Sequence, residues 1–228
     1  MNLSSHDVLL VDKPVGWTSF DVVKKLRHLF KVKKIGHAGT LDPLASGLLL
    51  LCMGKGTKRL STYQGLDKTY EGQIVLGKTT PSYDLETSFE EIKTYSHLQE
   101  KDILETSNTF LGIQRQTPPP YSACKVDGVR AYKKARSGKE VTLRPREVTM
   151  HAFELTKIEL PTLHFVVRCS KGTYIRSLAH DFGQRLGVGA HLAQLRRTRI
   201  GDYRIEDAYT LSRVEEEIRA GELHFISA

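Results

Sequence analysis

The segment from Gly36 to Gly47 constrains the fold of this chain most, because its backbone suits neither a helix nor a strand. Its three glycines permit tight turns and close backbone approach, and Pro43 restricts the preceding residue to extended or turn geometry. Asp42, the single carboxylate in the segment, should therefore be held at a fixed angle, which makes it the candidate catalytic residue. An ordinary Asp-Pro turn has the same composition, so spacing alone leaves both interpretations open.

Apolar runs on both sides of this segment predict the elements that hold it. The uninterrupted run from Leu48 to Met53 predicts a buried strand directly after it, and the run from Val8 to Val11 predicts another buried strand. Between the two, a helix should begin after Thr18, which precedes Asp21 in a capping-box arrangement. The catalytic candidate is thus expected in a loop that strands and a helix anchor.

The rest of the chain mixes strands and helices without regular alternation. Tyr70, Ile74 and Leu76 share one face of a predicted strand, so Tyr70 should point into the core or a pocket floor. The mixture favours an α+β fold around a largely antiparallel sheet, and 228 residues suit one large domain or two small ones. The other predicted elements are a loop over 79–96, a helix over 101–111, strands over 148–160 and 163–169, a helix over 175–186, a last strand over 192–200 and a final helix over 211–219.

Composition narrows the class of protein. Lysines and arginines number 34 against 26 acidic residues, and the resulting formal net charge of +8 favours a polyanionic partner. The three cysteines form no C-x-x-C pair, so the sequence predicts neither a disulfide framework nor a thiolate zinc site, and the compartment should be reducing. No apolar stretch approaches the roughly 20 residues that span a bilayer, and the chain does not start like a signal peptide; a cytoplasmic protein is expected.

Two clusters of basic residues fit an RNA partner. The segment from Gln116 to Arg146 interleaves cations with Tyr121 and Tyr132, and cations neutralise phosphate while aromatic rings stack on unpaired bases. A solvated charged face has the same composition. The second cluster follows the first predicted helix. It fits a solvated basic helix end and a phosphate contact equally well. The cations are Lys125, Arg130, Lys133, Lys134, Arg136, Lys139, Arg144 and Arg146 in the first cluster, and Lys31, Lys33 and Lys34 in the second.

The segment from Gly36 to Gly47 closely resembles the signature G-H-x-G-x-L-D-P-x-A-x-G of the TruB family of pseudouridine synthases, whose aspartate is the essential catalytic residue. Further matches follow in the family's order, so that the resemblance extends over about residues 9–211. These matches are Asp12 to Ser19, Lys68 to Tyr70, Cys169 to Arg176, Gly189 to Leu192 and Leu195 to Arg197.

The resemblance implies the pseudouridine synthase fold, a mixed and largely antiparallel central sheet with flanking helices and a catalytic cleft. It implies a single catalytic domain over residues 1–228, in which the segment from Gln116 to Arg146 corresponds to the family's RNA-clamping thumb. Family members often continue into a C-terminal PUA domain, and we expect none in these residues. We also expect a monomer that needs no cofactor and no metal.

The resemblance also assigns roles to individual residues. Arg176 matches the family arginine that pairs with the aspartate and would keep Asp42 charged and oriented. Tyr70 would stack on the uracil and assist removal of the C5 proton. The residues implied to line the flipped nucleotide are His37, Tyr174 and Leu195, and those implied to support the pocket are Lys13 and Pro14.

The implied reaction is the isomerisation of the T-loop uridine of tRNA to pseudouridine, with the T arm as partner and no guide RNA. Asp42 would act either as the nucleophile at the anomeric carbon or as a base at the neighbouring ribose carbon, and the sequence does not choose between these. Two other functions stay open: a noncatalytic RNA-binding or tRNA-folding protein on the same scaffold, and a synthase that acts on another RNA such as ribosomal RNA.

Overall fold

A computed structural model describes residues 7–126, 128–137 and 141–227. None of the helices in these ranges is both long enough and apolar enough to cross a membrane. The α-helices are α1 (Ser19–Phe30), α2 (Leu60–Gly65), α3 (Glu100–Asn108), α4 (Ala131–Arg136), α5 (Ile175–Arg185) and α6 (Leu211–Ala220). The strands are β1 (Asp7–Lys13), β2 (Ile35–His37), β3 (Ser46–Met53), β4 (Lys68–Leu76), β5 (Lys78–Thr79), β6 (Glu91–Ile92), β7 (Gly112–Gln116), β8 (Lys125–Val126), β9 (Val129–Arg130), β10 (Arg146–Glu159), β11 (Thr162–Cys169), β12 (Ala190–Ile200), β13 (Tyr203–Arg204) and β14 (Ile226–Ser227).

The chain forms two compact units, and the first comprises the residues up to Tyr70 together with those from Leu195 onward. Its sheet has the strand order β14-β1-β3-β12, with β2 beside β3 and β13 beside β12. β3 runs antiparallel to β1 and β2 but parallel to β12, where Arg197 lies opposite Gly47. This parallel pair makes the sheet mixed.

β3 is buried on both of its faces, which explains why its sequence is a continuous apolar run rather than an alternating one. Leu49 and Leu51 belong to a core cluster that includes residues of α1 and α6, whereas Leu48 and Leu50 belong to a second cluster that includes Tyr63 of α2. The loop that carries Asp42 therefore leads into a strand that is buried on both faces.

The predicted start of α1 is confirmed. The Thr18 hydroxyl accepts a hydrogen bond from the Asp21 backbone N–H at 3.0 Å, and the Asp21 carboxylate accepts one from the Thr18 N–H at 2.9 Å. This reciprocal capping box satisfies two backbone donors at the helix start and fixes the chain that leads into the helix.

The second unit comprises residues Glu71–Gln194, and its strands follow the order β4-β11-β10-β7. β10 and β11 form the predicted antiparallel hairpin, and the inward face of β11 is buried at Phe165 and Val167. The Phe153 ring of β10 lies edge-on to Phe165 and to Phe182 of α5, with centroid distances of 6.0 and 5.9 Å. These rings fix α5 against the sheet.

The predicted α+β fold with a mixed, largely antiparallel sheet is confirmed, but four predicted details are wrong. The segment from Gly36 to Gly47 is not irregular throughout, because Gly36 and His37 belong to β2 and Ser46 and Gly47 to β3, where pairing with neighbouring strands outweighs the glycines. Residues 79–96 are not all loop, because β5 and β6 pair there. Their pairing rests on backbone hydrogen bonds and does not require an alternation of apolar residues in the sequence. β12 is not the last strand, since β13 and β14 follow it and are too short to show a period. In addition, β7 was not predicted; it lies at the edge of the sheet, where Ile113 is 68% exposed. The helix predicted over 101–111 already ends at Asn108.

Candidate active site

The loop that carries Asp42 is held by contacts on both sides of the carboxylate. Before it, the Ser19 hydroxyl accepts from the Leu41 N–H at 2.9 Å and lies 3.2 Å from the Leu41 carbonyl, to which it donates. After it, the Pro43 carbonyl accepts from the Gly16 N–H at 2.8 Å. Leu41 is buried, whereas Asp42 is half-buried. The backbone on either side of Asp42 is thus fixed while its carboxylate retains partial access to solvent.

Arg197 anchors the two ends of this loop from inside the protein. Its side chain is 1% exposed, and its guanidinium donates from Nε to the Leu48 carbonyl at 2.8 Å and from Nη2 to the Gly39 carbonyl at 3.1 Å. Gly47 passes directly over the Arg197 backbone with φ +105°, so that a Cβ there would lie 2.3 Å from the Arg197 carbonyl oxygen. Only glycine fits both this conformation and this close approach.

We expect Gly47→Ala to lower the free energy of unfolding by about 3 kcal/mol, because it combines left-handed strain with a backbone clash. Gly54→Ala is the matched control, since Gly54 also has a positive φ, +52°, but no heavy atom within 4 Å of its added Cβ. The control should lose only about 1 kcal/mol. Urea denaturation of both variants measures the difference, and equal losses would show that the contact with Arg197 is unimportant.

Lys13 is a fully buried ammonium group close to Asp42. It is 0% exposed, and its Nζ donates to the carbonyls of Pro14 at 2.8 Å and Trp17 at 2.6 Å. Burial lowers the pKa of Lys13 from 10.5 to about 8, although the Asp42 carboxylate acts in the opposite direction. Lys13 and Pro14 therefore support the turn that contacts the Asp42 loop, and Lys13 places positive charge near the candidate catalyst.

The lowered pKa predicts how stability changes with pH. Because the folded pKa of Lys13 lies below its unfolded value, the folded protein binds fewer protons than the unfolded chain between pH 8 and 10.5. The cost of burying the charge is fully present below pH 8 and disappears as the pH rises through this window. We therefore expect the unfolding free energy of the wild type to rise relative to Lys13→Met over this window, as denaturation at several pH values would show. If the unfolding free energies of the two proteins changed in parallel with pH, this expectation would be wrong.

The other predicted site residues of the first unit lie on its strands. His37 ends β2 and is half-buried, and its pKa is lowered mainly by burial and further by Arg197, so the neutral ring is favoured. Tyr70 is 8% exposed in the alternating pattern of β4. Leu195 is half-buried in β12.

Arg176 is the buried cation of the second unit, 3% exposed in the first turn of α5. Its guanidinium donates from Nη1 to the Ser82 carbonyl at 3.1 Å and from Nη2 to the Tyr121 carbonyl at 3.0 Å, and its Nε lies 3.6 Å from Oδ2 of Asp84. Asp84 is also buried, and its Oδ1 accepts from the Glu86 N–H at 3.0 Å. Partners on several sides fix the plane of the guanidinium.

Tyr174 directly precedes α5, and its backbone is held by a buried glutamine. The Gln116 amide donates to the Tyr174 carbonyl at 3.0 Å and accepts from the Tyr174 N–H at 2.8 Å. The Arg146 guanidinium lies 4.6 Å from the centre of the Tyr174 ring, and the hydroxyl is 3.2 Å from Sγ of Cys124. Tyr174 is thus positioned at both its backbone and its ring.

In the described part of the basic segment from Gln116 to Arg146, the regular elements between β7 and β10 are β8, β9 and α4. Arg130, Lys133 and Arg144 are exposed, and Arg136 forms an ion pair with Glu86 at 2.5 Å. Lys139 lies outside the described residues. The second basic cluster, Lys31, Lys33 and Lys34, is exposed after α1. RNA contacts of both clusters stay predictions.

The structure thus divides the predicted site residues between the units. Lys13, Pro14, His37, Asp42, Tyr70 and Leu195 belong to the first unit, and Tyr174 and Arg176 belong to the second. The pairing of Arg176 with Asp42 stays a prediction. Sequence reasoning missed Asp84 and the anchoring role of Arg197, although Arg197 stood inside a motif that matched the family. Within the described ranges, no group of three or more His, Cys, Asp or Glu side chains could hold a metal ion.

Comparisons with known proteins show which proteins this chain is similar to. Residues 27–175 match the model of the N-terminal domain of the TruB family pseudouridylate synthases, and residues 176–223 match that of the tRNA pseudouridylate synthase B C-terminal domain. The chain is similar to tRNA pseudouridine synthase B of Flavobacterium johnsoniae, with 51% identity over 93% of this chain and 96% of that protein. It is also similar to tRNA pseudouridine synthase B of Chloroherpeton thalassium, with 50% identity over 96% of this chain and 93% of that protein.

A solved structure shares the fold. It is an H/ACA ribonucleoprotein bound to a substrate RNA that contains 2'-deoxyuridine, and one of its chains is 27% identical to this chain, with a TM-score of 0.72. The similarity covers 96% of this chain but 56% of the solved one, so this chain spans little more than half of that length. Because the first family model covers more than half of the sequence, this chain belongs to the TruB family of pseudouridylate synthases.

Proposed function

We propose that this protein is a tRNA pseudouridine synthase, an isomerase that converts the T-loop uridine of tRNA to pseudouridine. The observation that carries the proposal is the Asp42 carboxylate, held in an irregular loop between the anchored residues Leu41 and Pro43. The relatives named tRNA pseudouridine synthase B, about half identical over nearly the whole chain, support tRNA as the substrate.

The reaction rearranges bonds without any net addition. The N-glycosidic bond from N1 of uracil to the ribose breaks, the detached base turns, and C5 forms a carbon–carbon bond to the same ribose carbon. C5 then loses its proton, and N1 gains one. Asp42 acts as nucleophile or as base on the ribose, and Arg176 orients its carboxylate through charge-assisted hydrogen bonds. Tyr70 stacks on the uracil.

The uridine must leave the RNA loop before Asp42 can reach its ribose, at a cost of a few kcal/mol. In this proposal His37 occupies the space that the base vacates. The neutral form of the ring, which burial favours, stacks on neighbouring bases without the cost of burying a charge. Tyr174 and Leu195 line the flipped nucleotide.

The proposed substrate is bound through its phosphates and its loop bases. The net charge of +8 and the cations between Gln116 and Arg146 provide the electrostatic attraction, while the single-stranded loop provides the bases that proteins recognise. In this proposal the protein acts in the cytoplasm as a monomer, as one catalytic domain with a thumb-like insertion, and without a guide RNA, a cofactor or a metal.

A T-arm hairpin labelled with tritium at uridine C5 tests the proposal. We expect tritium release with a kcat/KM within about tenfold of full-length tRNA, because the loop and its stem carry the recognised groups. Hairpin binding without tritium release would favour the noncatalytic RNA-binding alternative. A hairpin slower by roughly a thousandfold would place about 4 kcal/mol of recognition elsewhere in the tRNA.

A further inference from the structure

The turn at residues 80–84, here called the Arg176 turn, provides two of the partners of Arg176. Its Ser82 carbonyl and its Asp84 carboxylate both contact the guanidinium. Thr80, Ser82 and Asp84 are buried. The turn closes on itself, because the hydroxyls of Thr80 and Ser82 donate to the Asp84 carbonyl at 2.6 and 3.1 Å. Where this turn lies relative to α5 therefore determines where the guanidinium points.

Tyr83 stands between the two partner residues in a conformation that is costly for tyrosine. Its φ is +65°, in the left-handed region, where a side chain with a Cβ is strained. Such a conformation persists only when the surrounding contacts determine it. Within the backbone, the Tyr83 N–H donates to the Thr80 carbonyl at 3.1 Å, and its carbonyl accepts from Leu192 at 2.9 Å.

The Tyr83 ring makes a second contact between the turn and α5. It stacks on the imidazole of His180, with ring centroids 3.8 Å apart and an interplanar angle of 12°. His180 follows Arg176 by four residues, so both side chains project from the same face of α5. The buried Nδ1 of His180 has no hydrogen-bond partner among the described residues. On this side the imidazole is therefore oriented by its stack on Tyr83 and not by a hydrogen bond.

We infer that Tyr83 and His180 are positioning residues that clamp the Arg176 turn to α5 and thereby set the orientation of Arg176. One helix face makes two contacts with one turn: Arg176 with Ser82 and Asp84, and His180 with Tyr83. The aromatic stack fixes the distance between turn and helix, and the left-handed conformation of Tyr83 directs its ring toward His180. This inference rests on the proposed function, because the orientation matters only if Arg176 serves catalysis.

The test measures the single-turnover rate of tritium release and the Kd for the T-arm hairpin separately. Tyr83→Ala and His180→Ala should each slow the reaction about thirtyfold while the Kd stays within about threefold, because misplacement affects the reacting geometry rather than RNA binding. Tyr83→Phe, which keeps the ring, should retain most of the rate. The double variant should be no slower than either single variant, because both remove the same stack.

Two further variants distinguish the loss of the stack between Tyr83 and His180 from general damage to the fold. Tyr83→Gly relieves the backbone strain but removes the ring, so it should be as slow as Tyr83→Ala. Phe89→Ala removes another aromatic contact with a histidine in the same unit, the ring of Phe89 against His191 at 5.3 Å, and should react at the wild-type rate.

The possible results distinguish this inference from the proposed function. A wild-type rate in Tyr83→Gly would overturn the clamp, and so would an equal loss in Phe89→Ala or additive losses in the double variant. A wild-type protein that binds the hairpin but releases no tritium would instead overturn the proposed function itself.

Discussion

Asp42→Asn should abolish tritium release from uridine-labelled tRNA, with a loss of at least roughly a thousandfold, or about 4 kcal/mol of transition-state stabilisation. The amide is neither an effective nucleophile nor a base, whereas its shape is nearly that of the carboxylate. RNA affinity should stay within about tenfold, because binding is distributed over many phosphate contacts. Single-turnover kinetics and filter binding measure the two quantities.

Asp202→Asn is the matched control, because Asp202 is an exposed carboxylate of the same unit and lies in the turn between β12 and β13. It should react at the wild-type rate. Turnover by Asp42→Asn close to that of the control would remove Asp42 from the mechanism.

Arg176→Lys should lower kcat by roughly a hundredfold, or about 2.7 kcal/mol. A lysine preserves the positive charge, but its ammonium cannot reach the Ser82 carbonyl, the Tyr121 carbonyl and the Asp84 carboxylate with the fixed planar fork of arginine. In the proposed mechanism, the Asp42 carboxylate would then lose the arginine that orients it. Steady-state kinetics should show the loss in kcat rather than in KM.

Arg185→Lys makes the same chemical change at the other end of α5, where the guanidinium contacts Thr109 and Gln114 near the surface. This control should keep the wild-type kcat. If Arg176→Lys were equally active, the ligands of its guanidinium would not serve catalysis, and Arg176 would be a structural residue only.

The elements that sequence reasoning predicted well have strong local signals. The apolar run from Leu48 to Met53 is a strand buried on both faces, and Thr18 with Asp21 forms the expected capping box. Both depend on neighbouring residues, so no tertiary information was needed. The irregular backbone around Asp42 was also predictable, because its glycines and Pro43 disfavour regular structure, but it extends only over residues 38–45, since Gly36 and His37 belong to β2 and Ser46 and Gly47 to β3.

The parts that sequence reasoning missed depend on distant contacts. Asp84 stands in a polar stretch that was predicted as loop, 92 residues before the arginine it pairs with, and only the fold brings the two together. Tyr83 has no periodic signal in the sequence. Its left-handed φ and its stack on the His180 ring are features of the folded chain. The anchoring role of Arg197 also depends on distant contacts, because its buried guanidinium donates to the carbonyls of Gly39 and Leu48, about 150 residues earlier in the chain.

Mapping pseudouridine in a full-length, unmodified tRNA transcript after incubation with the protein tests the proposed reaction. We expect one pseudouridine per tRNA, located at the T-loop uridine, and none after incubation with Asp42→Asn. A tRNA that is bound but unmodified, or one modified at another position, would contradict the proposed function.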